Sequence, residues 1–101
     1  MPHRVVFSQQ AKSDLANLER YIADAGSPDN AETYIKAIVA KCDGLAAAPY
    51  QGTGRDDFLP GLRTTGFRRR VTIAFRVSSE TILIARILYG GRSLEKNLKA
   101  I

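Results

Sequence analysis

The apolar residues of this chain change their period part-way along it, and that change restricts the fold more than any other feature. Between Ala11 and Ala46 they recur every three or four residues, the spacing of a helix face. From Phe67 onward they alternate, the spacing of a strand with one buried face. A helical first half followed by an extended second half points to an α+β layer pair rather than to alternating βα units or a helical bundle.

The segment boundaries follow from caps and breakers. Residues 3–7 read as a short first strand, and Ser8 has the side chain of an N-cap. Ala11, Leu15, Leu18, Ile22 and Ala25 then form the stripe of a helix over about 9–25, while Lys12, Asp14, Glu19, Arg20 and Asp24 fall off it and are assigned to water. Gly26 suits a left-handed residue just past the helix end, and Ser27-Pro28 restarts the chain with a cap and a first-turn proline. Ala31, Tyr34, Ile35, Ile38, Val39, Cys42, Leu45 and Ala46 mark a second helix over about 28–47, stopped by Pro49. So short a connection makes the two helices an antiparallel hairpin. Residues 50–61 read as loop, and Leu62–Thr65 as a short strand broken at Gly66. A strand over about 67–77 puts Phe67, Val71, Ile73, Phe75 and Val77 on one face and Arg68, Arg70, Thr72 and Arg76 on the other. Ser78-Ser79-Glu80 turns the chain. Residues 81–89 are almost continuously apolar, as in a central strand buried on both faces. Ser93 caps a last short helix carrying Leu94, Leu98 and Ile101. The expected fold is α+β: an N-terminal strand, an antiparallel helical hairpin packed on a small, mainly antiparallel sheet, and a short C-terminal helix, all in one domain over 1–101.

Composition narrows the chemistry. Cys42 is the only cysteine and His3 the only histidine, which excludes a disulfide framework, a cysteine zinc cluster and a Ser-His-Asp or Cys-His pair within one chain. Asp56 and Asp57 are neighbours on a loop and point apart. The glycines at 52 and 54 and at 90 and 91 lack the strand-to-helix setting of a phosphate loop. No metal and no cofactor are expected. No apolar run approaches the length of a membrane span, and the N-terminus lacks a signal peptide's apolar core.

The charge is lopsided. Residues 1–50 hold five basic and six acidic side chains, whereas residues 51–101 hold ten and four. Eight of the ten arginines lie in the second half, and arginine favours bidentate pairing with carboxylate or phosphate. Nucleic acid and an acidic protein both fit such a surface. Arginines beside RNA could also support cleavage by its own 2′-hydroxyl, given a proton shuttle. His3, Tyr89 and lysines are the candidates, and the sequence places none of them at the arginines.

The ordered set of these segments resembles the RelE/ParE superfamily of toxin–antitoxin toxins, and its ParE branch best. The resemblance is carried by Phe7 to Leu15, by Tyr21-Ile22-Ala23, by Pro60-Gly61-Leu62-Arg63, by Gly66 to Arg70 and by Arg86 to Glu95. It implies a cytoplasmic bacterial toxin, neutralised by a cognate ParD-like antitoxin, that inhibits DNA gyrase and so replication. The alternative is a RelE-like, ribosome-dependent mRNA endoribonuclease. Arg68 and Arg92 stand where RelE-type enzymes carry arginines. The tyrosine those enzymes carry after the second arginine is missing here, as are the lysines they carry before the strand. The resemblance therefore implies a binding protein rather than an enzyme, with direct nucleic-acid contact secondary.

On this reading Arg68, Arg70, Arg76 and Arg92 contact the target, and Leu15, Leu18, Ile22, Tyr34, Ile38 and Arg86 contact the antitoxin. Arg92 follows two glycines at a strand end, which leaves its side chain uncrowded. A structural ion pair with Glu95 or Asp57 is the alternative for Arg92.

Overall fold

The computed structural model describes residues 3–90. Its strands are β1 (Arg4–Phe7), β2 (Thr53–Gly54), β3 (Leu62–Phe67), β4 (Val71–Val77) and β5 (Thr81–Tyr89). Its helices are α1 (Gln9–Ala25) and α2 (Pro28–Asp43), the latter tightening into a 3₁₀ turn at Gly44–Ala46. The strands form one mixed sheet in the order β1-β5-β4-β3-β2. Only the β1–β5 pair is parallel. First and last strand lie side by side, so everything between them forms the crossover that a parallel pair needs.

The helix face of the sheet carries the core. Ile73, Phe75, Ile82 and Ile84 are fully buried against Ala11, Leu18, Ile38, Cys42 and Leu45, with Val71 and Ile87 at the margin. Both helices start as the sequence predicts: Ser8 Oγ accepts from the Ala11 N–H at 3.0 Å, and Ser27 Oγ from the Asn30 N–H at 3.1 Å. β5 is buried on both faces, since Ala85 and Leu88 are as inaccessible as Ile82 and Ile84.

Five expectations need correction or extension. The strand expected over 67–77 begins only at Val71. Phe67 ends β3 and pairs with Val71 at the start of β4, and Arg68-Arg69-Arg70 form the turn between them. Paired residues share a face, so Phe67 and Val71 keep the same alternation whether the chain runs straight or doubles back. Gly66 continues β3 instead of breaking it. Gly26 has φ −145°, so the end of α1 is not left-handed. The expected loop contains β2, too short to carry any alternation. Asp14, assigned to water, is buried. The helix expected from Ser93 lies outside the described residues.

Asp14 ties the two layers together. Its carboxylate takes Arg86 Nε at 2.8 Å and Nη2 at 2.9 Å, and also accepts the backbone N–H of Ile87 at 2.9 Å. The Ile87 bond has a geometric origin. β1 stops at Phe7, opposite Ile84, so β5 runs five residues beyond its last β1 partner. Ser8 covers the first part of that free edge: its N–H donates to the Ile84 carbonyl at 2.9 Å and its hydroxyl to the Ala85 carbonyl at 2.8 Å. Asp14 covers the next part. Between them the register steps from Phe75–Ile84 to Ala74–Arg86, leaving Ala85 as the extra residue of a bulge. The Asp14 carboxylate holds the Arg86 guanidinium's pKa above its ordinary value, and burial opposes this.

Two tests follow. Asp14→Ala leaves a buried guanidinium and an unpaired amide, so urea unfolding should show a loss of about 3–5 kcal/mol. The double variant Asp14→Leu/Arg86→Met should recover part of that loss; a double variant no better than the single would refute the pairing. Cys42 is fully buried and its thiol pKa is pushed up to about 12, mainly by that burial. At pH 8 the native protein should resist a thiol reagent and react fully once unfolded.

Candidate functional site

The arginines singled out by the sequence fall into separate places. Arg68 and Arg70 lie in the β3–β4 turn and are exposed with Arg69 between them. Arg76 is exposed on β4, but six residues of extended chain separate it from Arg70, roughly 20 Å. Its guanidinium donates to the Pro60 carbonyl at 3.3 Å. The structure therefore brings Arg68 and Arg70 together and leaves Arg76 at the other end of the strand. Arg92 lies outside the described residues. Its suggested partner Asp57 already pairs with Arg55 at 3.0 Å, an interaction that also lowers the Asp57 pKa.

Aromatic rings surround the turn. The Arg68 guanidinium carbon sits 4.9 Å from the centre of the Phe67 ring and 5.6 Å from that of Tyr34, distances typical of cation–π contact. The rings of Tyr34 and Phe67 meet edge to face at 5.7 Å. Burial, with help from Tyr89, pushes the Tyr34 pKa above its ordinary value of 10, against the pull of Arg68 and Arg70. Tyr34 is thus protonated at neutral pH and is a poor general base.

The shuttle candidates divide as well. His3 precedes β1, whose Arg4 pairs with Thr81 at the start of β5. The turn arginines adjoin the other end of β5, where the Gly90 N–H donates to the Arg70 carbonyl at 2.8 Å. Eight residues of strand, roughly 26 Å, lie between His3's end and theirs. Tyr89 lies near the turn, since it pairs with Val71 at the start of β4. Among the described residues no group of three or more His, Cys, Asp or Glu could hold a metal.

The residues expected to meet an antitoxin are largely committed to the fold. Ile38 is 0% exposed and Leu18 is 5% exposed, because they fill the space between hairpin and sheet, so Ile38 offers no contact area of its own and Leu18 very little. Leu15, Ile22 and Tyr34 are half-buried against the same core. Arg86 is held by Asp14.

The sequence reading missed the groove beside them. Asp14, Asn17, Leu18, Tyr21, Ile87, Tyr89 and Gly90 line an open groove of about 280 Å³ between α1 and the free edge of β5. Tyr21 is 60% exposed and its ring lies 5.8 Å from that of Tyr89. A tyrosine three residues beyond Leu18 on the helix was the available signal, and it was read only as part of a family segment.

Comparison with known proteins agrees with this architecture. A family model described as the ParE toxin of the type II toxin–antitoxin system parDE matches residues 5–94. A chain from the chromosomal ParDE system of P. aeruginosa superposes with a TM-score of 0.76 and 27% identity, covering 87% of this chain and 96% of that one. A chain of the toxin–antitoxin complex RelBE2 from Mycobacterium tuberculosis superposes with a TM-score of 0.63 over 88% of this chain and 99% of that one, at 21% identity, a likeness of fold alone. No curated protein sequence matches significantly. With the family model spanning nearly every element from β1 onward, the chain belongs to the ParE toxin family of type II toxin–antitoxin systems.

Proposed function

We propose that this ParE-family toxin inhibits DNA gyrase, and thereby replication, by binding it, and that a cognate ParD-like antitoxin encoded beside it neutralises it in the cytoplasm. The match to the parDE toxin model over residues 5–94 is the observation that carries the reading. The ParDE neighbour, itself a toxin–antitoxin system, supports an antitoxin as partner. The distribution of side chains supports binding over catalysis. His3 is remote from the turn arginines, Tyr34 is held protonated, and no tyrosine follows Tyr89 in the sequence. A partner could seat apolar side chains in the groove between Tyr21 and Tyr89. The target-contacting set is Arg68, Arg70, Arg76 and Arg92, with Arg68 and Arg70 acting together and Arg76 acting from the far end of β4.

The purified toxin should block supercoiling by gyrase, with relief by an equimolar amount of antitoxin, and should leave mRNA intact on translating ribosomes. Ribosome-dependent cleavage without gyrase inhibition would replace this reading with the endoribonuclease one. Arg92→Ala should fold and bind antitoxin as the parent does, yet need about tenfold more protein for the same inhibition, the effect of one lost charge-assisted contact. Equal potency would remove Arg92 from the target surface.

A further inference from the structure

We propose that the β3–β4 turn is a binding site for the phosphodiester backbone of duplex nucleic acid, with Arg68, Arg69 and Arg70 each pairing with a phosphate. This goes beyond the gyrase reading and does not depend on it.

The first observation is backbone geometry. Arg68 and Arg69 have φ of 50° and 62°, and they are the only non-glycine residues with positive φ among those described. The Arg70 N–H donates to the Phe67 carbonyl at 3.2 Å, closing a tight turn with both central residues left-handed. Glycine and asparagine adopt that conformation readily, and Asn-Gly is the usual pair in such hairpins. Arginine has no conformational reason to be there. The β3–β4 ladder closes on Phe67–Val71, and Gly90 binds the Arg70 carbonyl, so the neighbouring strands hold the turn in place.

The second observation is charge without an acidic partner among the described residues. All three arginines are exposed. The ion pairs among the described residues join Lys36 to Glu32, Arg55 to Asp57 and Arg86 to Asp14, and none reaches the turn. Arg68 is steadied over Phe67 and Tyr34 but stays accessible. Like-charged side chains packed this closely repel one another unless an anion lies between them.

The chemistry of the ligand follows from what the turn presents. Its three successive residues are all exposed guanidiniums, each able to pair bidentately with a phosphate. A row of cations on one element matches the regularly spaced charges of a phosphodiester backbone, and it reads no sequence.

The test uses the full chain and a short fluorescent DNA duplex of mixed sequence, followed by anisotropy as salt is varied. Three phosphate contacts contribute a slope of about −2.7 in log affinity against log salt, or roughly a 40-fold loss between about 50 and about 200 mM. The variant Arg68→Asn/Arg69→Gly relieves the backbone while removing two cations. It should melt no lower than the parent and lose about 1.8 of that slope. Arg70→Gln should lose about 0.9. An unchanged slope in both variants would overturn the proposal. So would a lower melting temperature in the Asn-Gly variant, which would show that the arginines serve the fold. Absence of duplex binding at low salt would also overturn it, and loss of polyglutamate binding in the same variants would then identify an acidic protein as the ligand.

Discussion

One carboxylate joins the helical layer of this protein to its sheet. Asp14 accepts two bonds from the Arg86 guanidinium and one from the Ile87 amide, all while buried. The arrangement is needed because β1 is shorter than β5. Where β1 ends, the edge of β5 would face the interior of the helix–sheet junction with unpaired amides, and such groups are costly to bury. Ser8 and Asp14 supply partners in succession from the start and the first turns of α1. The same edge, with no strand partner beyond Ile84 among the described residues, forms one wall of the groove that Tyr21 and Tyr89 line. The tie that closes the core thus also sets where the groove begins.

The arginine excess resolves into two uses. Arg63 donates to the carbonyls of Tyr50, Gln51 and Gly52 and so pins the loop that leads into β2. Arg55 and Arg86 are likewise held, by Asp57 and Asp14. These residues are part of the scaffold. The turn arginines have no described acidic partner and sit in a backbone conformation that disfavours them. Strain of this kind persists only where the surrounding structure imposes it, and it tends to mark functional positions. Among the described residues, the three exposed arginines of the turn thus form one compact cationic cluster at one end of the sheet.

The helical hairpin and β5 were legible in the sequence because each has a long apolar pattern and a clear boundary. Ser8 and Ser27 fix the helix starts by side-chain chemistry that no other element competes for. The turn at 68–70 was hidden for two reasons. It contains neither glycine nor asparagine, and the Phe67–Val71 pairing preserves the alternation of a continuous strand. Asp14 was misassigned because a charged residue beside an apolar stripe is ordinarily solvated. Its burial depends on Arg86, 72 residues away, which no local pattern reveals. Of the proposed target set, the pairing of Arg68 with Arg70 survives folding, while Arg76 is removed to the opposite end by the length of β4.

The central claim is that a rigid scaffold, closed by Asp14, presents the exposed arginines of the β3–β4 turn to the target. Hydrogen exchange of the toxin, alone and bound to gyrase on DNA, tests it most directly. Binding should slow exchange at Phe67–Val71 while leaving the buried amides of α1 and α2 unchanged. Protection confined to the helical hairpin, with the turn exchanging as in the free protein, would contradict the account.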